Sequence, residues 1–268
     1  TEASSKIWAT GYDFPAIENG WAKKDTPPDG TLASGQSFVF NLRRDKFQDK
    51  RVRQAIGMMF NFEWSNKTLF YGIYERIHSF WENSYLKAEG APMEGELAFL
   101  RPLADKLPEG VLDGPVVMAP ASSDRQLDRK NLRRASAMLD EAGWPVGDDG
   151  MRRNAAGETL QVEILNDSQA FDRVINPYIE NLRALGVDAV HTRIDNAQMT
   201  ERERSFNFDM VVGNFRTALT PGSELEQYFG SESAEFSIFN LAGFGSEAVD
   251  SLIDSVTAAE DRTTLDDA

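Results

Sequence analysis

The chain contains no cysteine and only two histidines, His78 and His191, which lie far apart. Without cysteine there can be no disulfide, no thiolate nucleophile and no cysteine-based metal site, and the redox compartment stays open. Neither histidine has a second one four residues on, so the paired-ligand spacing of a helical zinc site is missing. Each reads as an ordinary surface or strand residue. No HExxH, phosphate-cradling or G-x-S-x-G sequence occurs. "GFGSEA" (Gly243 to Ala248) echoes a dinucleotide turn but lacks the preceding strand that such a turn needs. Acidic pairs such as Asp148–Asp149 and Glu201–Glu203 read as solvated surface in a chain this acidic. These absences argue for a protein that is not an enzyme and uses no metal or cofactor.

Long apolar runs are also lacking; none approaches the roughly 18 residues that span a bilayer. The opening "TEASSKIWATGYDFP" has neither the basic start nor the apolar run of a secretory signal. It begins with Thr rather than Met, and the sequence stops in helix-forming residues, so we expect a processed chain or a piece of a longer one. Positive charge is in deficit: 28 Lys and Arg face 43 Asp and Glu, for a net charge of −15 and a pI near 4.6. Such a surface repels phosphate backbones, so nucleic acid is excluded as a partner.

What is present is globular. The 268 residues are 41% hydrophobic and 26% charged, enough for one large domain or two small ones. Residues 1–36, with Pro15, Pro27, Pro28 and four glycines, read as an irregular lead-in. In "FVFNLRRDKFQDKRVRQAIGMMFNFEW" (Phe38 to Trp64), Phe38 and Phe40 alternate with Ser37 and Val39 as a short strand. Asp49 stands where an N-cap belongs, and Val52, Ala55, Ile56, Met59 and Phe60 form one apolar helical face. That helix is expected to run to about "LFYGIYER". Residues 80–115 read as loop with a helical piece around Glu94 to Leu103. Leu132, Ala135, Met138, Leu139 and Ala142 share a face of a helix closed by Gly143. "GDDGMRRNAAGE" supplies turns for a hairpin. "TLQVEILN" reads as a strand and "FDRVINPYIENLRALGV" as a helix stopped by Gly186. "DAVHTRID" is a second strand, "NAQMTERERSFN" a charged helix and "FDMVVGNF" a buried third strand. Val249, Leu252, Ile253 and Val256 mark a last helix. Strand, helix, strand, helix, strand with short links predicts an α/β layer with partly parallel pairing. Trp8, Tyr12, Phe14, Trp64, Phe80 and Trp81 crowd the first third, as core anchors or as the lining of an aperture for an amphipathic ligand.

Four blocks in series carry a resemblance: "FVFNLRRDKFQDKRVRQAIGMMFNFEWSNKTLFYG", "DRKNLRRASAMLDEAGW", "VINPYIENLRALGVDAVHTRID" and "FDMVVGNFRTALTPGSELEQYF". Their order and spacing resemble the peptide-type (oligopeptide/dipeptide-binding, family 5) extracellular solute-binding proteins of ABC importers, and cover most of residues 37–268. "KIWATGYDFPAIENG", "SFWENSYL" and "NLRR" look most like the subgroup associated with microcin C and longer peptides. The resemblance implies an α/β lobe of a periplasmic binding protein type II fold, a mixed sheet flanked by helices over residues 37–268, with the first lobe absent. It also implies a periplasmic location, a peptide ligand, the membrane permease of an ABC importer as partner, and the other lobe of the same parent chain closing by hinge motion. Carried over position by position, it nominates Asn214, Phe215, Arg216, Thr217 and Thr220, with Asn166, Asp167 and Ser168, as ligand-binding residues; Trp81 joins them from the aromatic group. Two departures stand out. Thr220 precedes Pro221 where the dipeptide binders have an Asp for the peptide's α-amino group, and their carboxylate-binding Arg falls near Leu165. A longer peptide or a conjugate held through its backbone fits this pattern. Alternatives are another solute, such as an oligosaccharide or a nickel chelate, and a hydrolase using a carboxylate pair.

Overall fold

A computed structural model describes residues 4–268. Its centre is a four-stranded sheet in the order β1-β4-β2-β3. β1 (Gly35–Phe40) runs antiparallel to β4 (Met210–Phe215). β2 (Gln161–Asn166) runs parallel to both β4 and β3 (Asp188–Arg193). The mixed α/β sheet expected from the alternation of elements is therefore present.

Period-two alternation sends the strand residues into two different cores. Phe38, Phe40, Val162, Ile164 and Met210 belong to the larger one, with Val52, Ala55, Ile56, Leu139, Ile175 and Leu182 from the helices Lys50–Met58, Arg129–Glu141 and Gln169–Ala184. Val39, Leu165 and Val211 point the other way and meet Met199 and Phe208 beside the helix Asn196–Arg204. Helices thus cover both faces, and strands buried on both sides need near-continuous apolar sequence, as "VEIL" and "MVV" supply. Within the larger core Phe38, Phe60 and Tyr178 pack with ring centroids 5.2–5.5 Å apart, and the Tyr178 hydroxyl donates to the Ile56 carbonyl. Burial pushes that phenol's pKa up.

The helix starts follow from their caps. Asp49 accepts from the Arg51 amide at 2.8 Å, and Asp128 from the amides of Lys130 and Asn131 at 2.7 and 2.8 Å. The helix expected to run from Asp49 to about residue 76 is in fact two, Lys50–Met58 and Phe62–Thr68. Asn61 divides them. Its buried carboxamide accepts from the Trp64 amide and donates to the carbonyls of Ser123 and Arg125. An N-cap in mid-sequence redirects the chain, and apolar periodicity alone does not reveal it. The lead-in also holds two short helices, Ser5–Thr10 and Pro15–Glu18. The helical piece at Glu94–Leu100, the paired turns of residues 146–159 and the helix Glu247–Ala258 all stand where the sequence set them. Gly186 has φ +87°, and a Cβ there would also lie 2.8 Å from the Gly150 carbonyl, so it ends its helix on both counts.

Candidate functional site at the strand ends

The chain leaves β2 through the helix Gln169–Ala184 to β3 on one side, and returns from β3 through the helix Asn196–Arg204 to β4 on the other. Loops leaving two adjacent parallel strands in opposite directions open a crevice beyond their carboxyl ends. The two segments at this switch point are 166–168 and 214–220, which hold eight of the nine sequence-nominated residues. Trp81 joins them through a loop.

The nine residues divide by what their polar atoms do. Asn166 is buried and closes its own turn, accepting from the Ser168 amide at 3.0 Å and donating to the Ser168 carbonyl at 2.8 Å. Ser168 is the N-cap of the next helix, without a side-chain cap bond. Thr217 donates its hydroxyl to the Phe80 carbonyl at 3.0 Å, and the Trp81 indole donates to Ala218 at 2.9 Å. Thr220 accepts from Arg262, which also donates to the Leu219 carbonyl at 2.7 Å. These side chains fix the loop 216–220 against residues 80–81 and the last helix, Arg262–Asp267. Asn214, Arg216 and Asp167 are exposed. Asn214 accepts from the Ser34 hydroxyl across the ribbon at 3.2 Å, while Arg216 makes no ion pair with a described acidic residue. Phe215 is half-buried among Phe80, Tyr228 and Phe229, with centroids 5.3–6.0 Å away.

Sequence reading missed Tyr228 and Phe229. They sit side by side on the short helix Glu224–Phe229, too short for periodicity to assign a face. Of the aromatics grouped in the first third, Trp8 and Phe14 each pack at a tilt against Tyr12, and Lys24 lies over Trp8 and Tyr12. Glu203, read as solvated, is half-buried; burial first, and then the Asp167 carboxylate, raise its pKa. His191 lies half-buried in β3 with Asn176 and Asp172 beside it, and burial lowers its pKa.

Two main-chain features define the site. β1 pairs with β4 as far as Phe215, but on its other side β4 pairs with β2 only through Met210 and Val211. The ribbon therefore runs on past the β2 pairing, and the β2-facing edge of Val212–Phe215 pairs with no strand among the described residues, a length of about 10 Å at the usual rise per residue. Gly213 lies in this stretch because there is no room for anything larger: a Cβ would stand 2.6 Å from Val39 Cγ2 and 3.2 Å from Leu241 Cδ1. Val39 is buried and stiff at χ1, so it gives way poorly. Gly213→Ala should therefore lower stability by about 1–3 kcal/mol, with Val39→Ala restoring part of the loss in the double variant. Urea midpoints of the two single variants and the pair check this. Leu165, near which the resemblance sets a carboxylate-binding Arg, is fully buried in the smaller core, so its side chain does not open on the crevice.

Among the described residues no group of three or more His, Asp or Glu is placed to hold a metal ion, and no helix is long and apolar enough to cross a membrane.

Comparison with known proteins bears on the family and the fold. The middle-region model of the bacterial extracellular solute-binding proteins, family 5, matches residues 4–236. A "Probable peptide-binding protein YejA" of Agrobacterium fabrum is 39% identical over 97% of this chain and 43% of its own length. Among solved structures, the oligopeptide-binding protein AppA of Bacillus subtilis, in complex with a nonapeptide, matches with a TM-score of 0.67 at 17% identity, covering 98% of this chain and 47% of that one. NikZ of Campylobacter jejuni, in complex with Ni(L-His), matches with a TM-score of 0.66 at 14% identity, over 88% of this chain and 42% of its own. At such identities the structures share the fold alone, and their different ligands illustrate that fold does not fix ligand. The chain spans less than half the length of the relatives it matches. The matched region, the sheet order and the sequence identity together place it: the chain belongs to family 5 of the bacterial extracellular solute-binding proteins.

Proposed function

We propose that this chain is one lobe of a periplasmic solute-binding protein that captures a peptide and delivers it to the permease of an ABC importer, the ligand closing between it and a second lobe of the parent chain. The observation that carries the reading is the unpaired edge of Val212–Phe215 at the switch point. An extended peptide can add to such an edge through main-chain hydrogen bonds, leaving its side chains to pockets on either side. The name of the Agrobacterium relative supports a peptide. Segment 214–220 has no carboxylate to anchor an α-amino group, which favours longer peptides or conjugates held along their backbone over dipeptides anchored at both ends. The acidic surface suits a diffusing carrier that docks on its permease without adhering to anionic lipid.

The hydrolase alternative would rest on the half-buried Glu203 and its neighbour Asp167. One experiment addresses both readings. A mixed-sequence peptide pool, from dipeptides to decapeptides, is titrated calorimetrically into the chain, and the pool is then analysed for cleavage. We expect weak binding, because half of the contacts come from the other lobe, biased to the longer members and without hydrolysis. No heat with any peptide, or products appearing over time, would remove the peptide-carrier reading.

A further inference from the structure

A second concavity, with a cavity volume of about 640 Å³, lies between the helix Phe62–Thr68, the loop 71–78 and residues 118–121. Its walls include Phe62, Tyr71 and Met118, the last two well exposed. Into it comes Arg76. The Arg76 guanidinium stands 5.6 Å from the Phe62 ring centroid and 6.0 Å from that of Phe60, and donates one long bond, 3.4 Å, to the Pro120 carbonyl. Burial lowers its pKa, which the more distant charge of Glu63 only partly opposes. No described carboxylate lies within ion-pair distance of it. Glu63 is instead taken by the Ser122 amide at 3.0 Å, and Lys67, also on the rim, by Asp124. A guanidinium has five N–H donors, and this one spends a single weak bond on the protein. None of its nitrogens is sealed away without a partner, so the others open on the groove.

The surroundings are pre-set. Asn66 grips the loop by accepting from the Tyr74 amide and donating to the Tyr74 carbonyl, and the Gly72 amide donates to the Asn66 carbonyl. Tyr71, at φ +58°, is held in the left-handed region by this loop. His78 Nδ1 accepts from the Ala119 amide at 3.4 Å, which leaves Nε2–H as the donor of the neutral ring.

A desolvated cation without an anion, walled by aromatic and thioether side chains, is complementary to a carboxylate carried on an apolar group. The geometry points to Arg76 as a carboxylate-binding position, reading either an acidic side chain or the C-terminus of a bound peptide. This rests on the peptide reading for the ligand's identity and adds a chemical preference to it.

The test follows the Arg76 Nε–H and Ala119 N–H resonances of the chain during titration with three capped dipeptides. Acetyl-Phe-Glu-amide carries only a side-chain carboxylate, acetyl-Gln-Phe only a terminal one, and acetyl-Gln-Phe-amide none. At least one carboxylate probe should shift both resonances and bind about tenfold or more tightly than the neutral probe; which of them does so identifies the source. Arg76→Met should abolish that difference while the other amide signals stay in place, and Arg76→Lys should keep part of it. Equal response to all three probes, or an unaltered preference in Arg76→Met, overturns the inference. The amides of Val212–Phe215 report the strand-edge reading separately. If they respond to the neutral peptide while Arg76 ignores carboxylates, only this inference fails. If Arg76 responds and those amides never do, it is the strand-edge reading that fails.

Discussion

Arg152→Ala should destabilise the chain by about 3–5 kcal/mol, the range for removing one member of a buried charged network. Arg152 is 1% exposed, deeper than any other charged residue among those described. Its Nε donates to the Leu185 carbonyl at 2.7 Å, Nη1 to the Trp144 carbonyl at 2.7 Å and to Asp140 at 2.8 Å, and Nη2 to the Ser136 hydroxyl at 2.6 Å. One side chain thus satisfies the C-terminal carbonyls of one helix exit and the turn before β3, while its own amide donates to Gly186. The ion pair is the lesser part. Asp140 is 51% exposed, so its charge is screened, and Asp140→Asn should cost under about 1 kcal/mol. The larger loss comes from leaving the Leu185 and Trp144 carbonyls buried without donors. Arg152→Met, which keeps the stem but no donor, should therefore resemble Arg152→Ala more than it resembles Asp140→Asn. Urea unfolding reads all three as midpoint shifts at constant slope. Equal losses for the Asp140 and Arg152 variants would show the ion pair to be dominant.

The second large effect is expected at Arg43. Its Nε donates to the Ala234 carbonyl at 3.1 Å, Nη1 to Leu241 and to the Asn41 side chain at 3.2 Å, and Nη2 to Asn240 at 3.1 Å, while the guanidinium stacks 3.6 Å from the Phe206 ring centroid. Asn41, fully buried, holds the carbonyls of Phe206 and Phe208 at 2.9 Å. Together they fasten the exit of β1 to the turn that feeds β4 and to segment 234–243. Arg43→Ala should cost about 2–4 kcal/mol and free that segment, because several carbonyls lose their donor at once. Arg43→Lys should recover little of this, since an ammonium cannot span carbonyls the planar fork reaches together. Gly243, at φ +64°, has no room for a Cβ because the same guanidinium would lie 2.7 Å from it. Amide exchange accelerating across 231–244 in Arg43→Ala would confirm the fastening. Unchanged exchange there, with the stability lost elsewhere, would refute it.

Both arginines lie in stretches whose sequence suggests something else. "MRRNAAGE" reads as a polar hairpin turn, and nothing local says that Arg152 turns inward while Arg153 pairs with Asp149 outside. "NLRR" attracted notice through its resemblance, and within it Arg43 spends its guanidinium on carbonyls of the fold. The site shows the same division. The resemblance nominated the ends of β2 and β4, where Asn166, Thr217 and Trp81 spend their polar atoms on loop carbonyls and amides. The groove around Arg76 left no motif, because its walls come from residues near 62, 71 and 118.

The elements with strong local causes are legible in the order of residues alone. Period-two runs gave the strands, three- and four-residue spacing gave the long helices, and Asp49, Asp128, Gly143 and Gly186 marked where helices begin or end. Each of these effects acts within a few residues, so it is written in adjacent letters. Tertiary contacts alone make Asn61 break a helix, turn Arg152 and Arg43 into internal fasteners, let β4 outrun its pairing with β2, and leave Arg76 without a carboxylate partner among the described residues. Those outcomes depend on which distant carbonyls and side chains arrive beside a residue. The burial of a polar group and the supply of its partners are set by chain segments far apart in sequence.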